Sequence, residues 1–154
     1  MYNIIIVKYV FLFGRYFMTR KNARKAVLEL LFESGFRSDE KSTQIYDSSA
    51  ENREIEDDTY VRCVFFGVLE KIEEIDKLIG SHSHGWKPER ISRVSRTILR
   101  IAVYEMLYFD DIPAVVSINE ALELCREFDD EKTRPFVNGV LNAIKGTLPE
   151  EKQK

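Results

Sequence analysis

Cysteine and histidine are scarce in this 154-residue chain: two of each, Cys63 and Cys125, His82 and His84. Two cysteines far apart in sequence give neither a disulfide framework nor a close-spaced metal site. Both fall on apolar helical faces and read as core thiols in a reducing compartment, the cytoplasm. His82-x-His84 supplies two ligands where a zinc site needs three or four, so no metal is expected. There is no glycine-rich phosphate loop and no nucleophile elbow. No carboxylate pair stands apart from ordinary helix surface. Neither a catalytic constellation nor a cofactor is therefore expected. A net charge of −3 excludes a protein that coats nucleic acid in bulk but leaves room for a local basic patch. No apolar run reaches the roughly 20 residues that span a bilayer.

Residues 1–17 differ in composition from the rest of the chain. MYNIIIVKYVFLFGRYF is apolar and aromatic, with Lys8 and Arg15 as its charges. It lacks the leading charge and small-residue cleavage site of a signal peptide. We read Met18 as the natural start and residues 1–17 as a start-site extension. A membrane-surface anchor, or a segment docked on the domain, are the alternatives.

From Met18 onward the chain reads as all-helical. Residues 93–144 organise it. The segment Ile98–Phe109 is apolar almost all round, interrupted by Arg100 and Glu105, and so should be buried on every side. Glu105 at such a position needs a basic or backbone partner, and so does Arg100, for which Glu120 is a candidate. A helix after Pro113 carries a stripe of Val115, Ile118, Ala121, Leu122, Cys125 and Phe128. Its outer face is Glu120, Glu123, Arg126 and Glu127. A third helix enters through Pro135, with Thr133 as its cap, and carries Phe136, Val137, Val140, Leu141, Ile144 and Leu148 on one face. Upstream, residues 57–81 keep one helical period throughout. Gly67 within them costs about 1 kcal/mol against alanine and marks a close helix approach. Residues 37–56 are polar and acidic, a long loop with a short helix around 42–50.

The helix over residues 19–36 buries Ala23, Ala26, Val27, Leu30 and Leu31. Its first two turns hold Arg20, Lys21, Arg24 and Lys25, and no acid appears before Glu29. A helix N-terminus is the positive end of the dipole and favours acids, so this crowding of cations breaks a local rule. An anion site for a nucleic-acid backbone explains it; a solvated basic face is the alternative. Arg90, Arg93, Arg96 and Arg100 form a second basic stripe, suited to phosphate or to pairing with acids of neighbouring helices.

In this order and spacing the motifs resemble a known family. They are Arg20-Lys21-x-Ala23-Arg24, Tyr60-x-Arg62 with Gly67-Val68, and Ile98-Leu99-Arg100-Ile101-Ala102-x-Tyr104-Glu105. Ile112-Pro113, Ile118-Asn119-Glu120-Ala121-x-Glu123-Leu124 and Phe136-Val137-Asn138-Gly139-Val140-Leu141 complete the set. From Met18 to the end, the chain is similar to the NusB transcription antitermination factors. The resemblance implies an all-α fold, a two-subdomain helical bundle of about six to seven helices. It implies binding to boxA RNA together with the ribosomal protein NusE, in an RNA polymerase elongation complex on ribosomal RNA genes. It places RNA contacts on Arg20, Lys21 and Arg24; the charge pattern read above adds Lys25, and offers Arg90, Arg93 and Arg96 as a secondary basic face. The family has no counterpart to residues 1–17. A related helical domain precedes the catalytic domain of certain ribosomal RNA cytosine methyltransferases. A protein–protein scaffold without useful RNA affinity therefore stands as the alternative. No stable membrane association is expected, and a homodimer is compatible with the bundle faces.

Overall fold

Short side-chain caps set where three of the helices begin. Thr19 Oγ1 accepts the Asn22 N–H at 3.2 Å and starts α1 (Arg20–Ser34). Asp58 Oδ1 accepts the Val61 N–H at 3.0 Å and starts α3 (Thr59–Glu70). Ser92 Oγ accepts the Ser95 N–H at 2.9 Å and starts α5 (Arg93–Tyr108). Each bond satisfies a donor that the first helical turn cannot. The other helices are α2 (Ser42–Asn52), α4 (Ile72–Ser81), α6 (Ala114–Phe128), α7 (Arg134–Lys145) and α8 (Glu150–Gln153), with a 3₁₀ turn at Glu131–Thr133. The computed structural model describes residues 18–55, 58–85 and 90–154, and no strand occurs among them. Residues 1–17, 56–57 and 86–89 lie outside the described residues.

The post is α5. Ten of its residues are buried, Ile98 through Met106 except Arg100 among them, as its all-round apolarity predicts. It contacts α1, α3, α4, α6 and α7. Around it the helices fall into two groups, α1 with α2 and α3, and α4 with α6 and α7. One continuous apolar cluster joins them.

Four sequence readings shift. The stretch expected as one helix over 57–81 is two, parted at Lys71 (φ −103°, ψ 15°). The break lets α3 stay on α1 while α4 follows α5 to α7. The buried stripe of α6 is Ala114, Ser117, Ile118, Ala121, Leu124 and Cys125. Val115 and Phe128, expected inside, are 40% and 36% exposed. The helix turns its small residues inward because it lies close on α5. Cys63, expected in the core, is exposed, whereas Cys125 is buried. Thr133 stands at the start of α7 but makes no side-chain cap; its hydroxyl donates to the Asp130 carbonyl at 2.7 Å.

Gly67 behaves as expected. A Cβ there would lie 2.0 Å from the Tyr104 Oη, so only glycine lets α3 sit against α5 at this point. Asp129, at the end of α6, accepts the hydroxyls of Ser92 and Ser95, each at 2.6 Å, and ties the α6 terminus to the start of α5. Burial pushes the Asp129 carboxyl up, but those serines more than offset it and hold it below the usual carboxylate range.

Candidate nucleic-acid interface

The four cations at the start of α1 have three different fates. Arg24 is 4% exposed. Its Nε and Nη2 donate to the two carboxylate oxygens of Glu105 at 2.8 and 3.3 Å, and Nη1 lies 3.4 Å from Glu120. Glu105, 1% exposed, also accepts the Ser117 hydroxyl at 2.7 Å and a short bond from the Tyr60 phenol. The carboxylate inside the apolar post thus has a complete set of donors, drawn from α1, α3 and α6. Burial alone would make the Arg24 cation harder to keep. The hydrogen bond and charge of Glu105 reverse that and raise its pKa. Burial and the same carboxylate push the Tyr60 phenol well above its ordinary range. Arg24 is therefore corrected from a surface phosphate ligand to a buried anchor, because a phosphate cannot reach a guanidinium enclosed by three helices.

Lys25 is half-buried and its Nζ lies 2.6 Å from Glu127 of α6. Its charge is answered within the fold. Arg20 and Lys21 are exposed, and neither makes a salt bridge among the described residues. The Arg20 guanidinium stands over the Tyr60 ring, 4.2 Å from the centroid. The crowding of cations that the sequence shows is thus half explained by acids from α5 and α6, and half left facing solvent.

The second basic stripe also divides. Arg100 forms a two-pronged pair with Asp76 of α4 at 2.7 and 2.6 Å, not with Glu120. Arg90 precedes α5 and is exposed; Arg96 is half-buried. Arg93 lies over the ring of Phe36, 4.6 Å from its centroid, and Phe36 is 61% exposed. Since Arg24 meets Glu105 at one end of α1 and Phe36 meets Arg93 at the other, α1 and α5 run antiparallel. The two exposed basic regions are then about 24 Å apart along α1. Among the described residues no cluster of three or more His, Cys, Asp or Glu could hold a metal, and no helix is long and apolar enough to cross a membrane.

A sequence model described as the NusB family matches residues 21–145. The chain belongs to the NusB family. It is 41% identical over 131 residues to a transcription antitermination protein NusB of Bacillus licheniformis, covering 85% of this chain and 99% of that one. The backbone is similar to that of T. maritima NusB, with a TM-score of 0.78 and 36% identity over 88% of this chain and 96% of that one. It is also similar to a chain in a crystal structure of the antitermination factors NusB and NusE in complex with double-stranded RNA. There the TM-score is 0.74 and the identity 27%, over 84% of this chain and 97% of that one. The relatives are named transcription antitermination proteins, and the donors that meet Glu105 here all come from within the fold.

Sequence reasoning did not single out Tyr60 as a partner of Glu105 or Glu127 as a partner of Lys25; for Arg100 it expected an acid of a neighbouring helix but offered Glu120 where the structure has Asp76. A signal for the first was present. Glu105 in an apolar helix calls for nearby donors, and Tyr60 and Arg24 are amphipathic residues on otherwise apolar stripes.

Proposed function

We propose that this chain is a transcription antitermination factor, acting in the cytoplasm, that binds the boxA element of nascent ribosomal RNA together with NusE in an RNA polymerase elongation complex. In this reading residues 18–154 are the RNA-binding unit, and Arg20 and Lys21 make phosphate contacts. The observation that carries it is the pair of unbridged, exposed cations at the start of α1, where backbone amides already favour an anion. Family membership and likeness to a NusB that was crystallised with NusE and RNA support the choice of ligand and partner. Arg93 on Phe36, with Arg90, is the secondary face: an exposed aromatic ring beside a guanidinium suits an unpaired base. Arg24 and Lys25 hold α1 in place and do not touch RNA.

The test is titration of labelled boxA RNA with the chain alone and with NusE, beside a scrambled RNA of equal length. The reading expects preference for boxA that NusE strengthens. Binding of NusE with no RNA preference in either arm would favour the protein–protein scaffold instead.

A further inference from the structure

Tyr60 is held on three sides. Its hydroxyl donates to Glu105, which is itself fixed by Arg24 and Ser117. The ring of Phe109 lies against it, 5.7 Å between centroids at 56°. The residue is 6% exposed, yet the exposed Arg20 places its guanidinium over the ring. Arg24 is farther from the same ring, 5.9 Å, and is committed to Glu105.

We infer that Tyr60 is a positioning residue for RNA: its immobilised ring presents the Arg20 guanidinium to an RNA phosphate. A guanidinium stacked on an aromatic face keeps its N–H donors around its edge, where a phosphate can take two of them at once. A free arginine must give up rotamer freedom when it binds; one already stacked has given up part of it beforehand. The attraction between cation and ring supplies that ordering, and the ring's burial against Phe109 keeps it from following the cation. The inference rests on the RNA-binding reading above, and it adds a residue that touches no RNA itself.

The experiment measures boxA RNA affinity of the NusE-bound chain for Tyr60→Phe, Tyr60→Leu, Arg20→Ala and the Tyr60→Leu/Arg20→Ala double variant. Thermal melts define the temperature at which each is folded. Tyr60→Phe and Tyr60→Leu both lose the hydroxyl bond to Glu105, but only Tyr60→Phe keeps the ring. Tyr60→Leu should bind RNA about two- to five-fold more weakly, and Tyr60→Phe should bind as the wild type does. In the Arg20→Ala background, Tyr60→Leu should have no further effect, because the two residues act as one unit. Equal losses in Tyr60→Phe and Tyr60→Leu, or a Tyr60→Leu loss that persists without Arg20, would overturn the inference.

Should Tyr60→Leu fail to fold, the side-chain NMR resonances of Arg20 decide. Ring-current shifts of its δ and ε protons, kept in Tyr60→Phe and on adding RNA, are expected; unshifted resonances refute the stack. Absence of RNA binding by the wild type would instead remove the functional reading and leave the NMR result to report the stack alone.

Discussion

Replacing Arg24 with alanine separates a structural cation from the exposed ones three or four residues away. Arg24 and Glu105 are 5% and 1% exposed at the side chain, so the variant leaves a carboxylate in the core with its principal counter-charge gone. Breaking a buried pair from one side costs about 3–5 kcal/mol. Tyr60 and Ser117 still donate to Glu105, which keeps the expected value from rising above that range. For a chain of this size the melting temperature should fall by roughly 6 to 20 °C. Lys25→Ala removes a bridge whose partners are 27% and 44% exposed, and should cost about 0–1 kcal/mol. Arg20→Ala removes a surface cation and should cost a similar small amount. The assay is urea unfolding of the three variants under one condition, followed by circular dichroism. Equal destabilisation across the three, or an Arg24→Ala variant as stable as the wild type, would refute the assignment of Arg24 as the anchor.

The same geometry sets other outcomes. Gly67→Ala drives a methyl group into Tyr104 and should destabilise the fold by about 1–3 kcal/mol, read from the same urea curves. Asp129 has its folded pKa depressed, so its stabilising effect is present at neutral pH and lost as pH falls below the usual carboxylate range. Asp129→Asn should therefore be less stable than wild type at pH 7, with the gap narrowing as pH falls below the usual carboxylate range. A thiol reagent should modify one cysteine of the native protein quickly and the second only on unfolding. Cys63 is exposed, while burial holds Cys125 inside and pushes its thiol up to about 11.

The helical class and the central post were legible because apolarity on every side of 98–109 has one physical outcome, burial by neighbours on every side. Gly67 was legible for a similar reason: glycine inside a helix is costly, and close approach by another helix accounts for the cost. The stripe of α6 was misplaced because periodicity weighs large apolar residues such as Val115 and Phe128. The fold instead turned in Ala114 and Ser117, small enough for α5 and, in the case of Ser117, able to serve Glu105. The fate of the α1 cations was only half legible. Arg24 breaks the dipole rule as plainly as Arg20 does, and what distinguishes them is Glu105, 81 residues away in the chain. Local sequence shows the misplaced charge; only the packing of α1 on α5 shows which charge is already answered.

If RNA phosphate is met by Arg20 and Lys21 and not by the buried Arg24, the salt dependence of binding will show it. The decisive comparison is boxA RNA affinity of the NusE-bound protein at several salt concentrations, wild type against Arg20→Ala/Lys21→Ala. Each neutralised phosphate on single-stranded RNA adds about −0.7 to the slope of log K against log salt. With one contact each, the double variant should flatten that slope by about 1.4 with its folding stability nearly unchanged. Parallel lines for the two proteins would contradict this assignment and move the phosphate contacts elsewhere, with Arg90 and Arg93 beside Phe36 the next place to look.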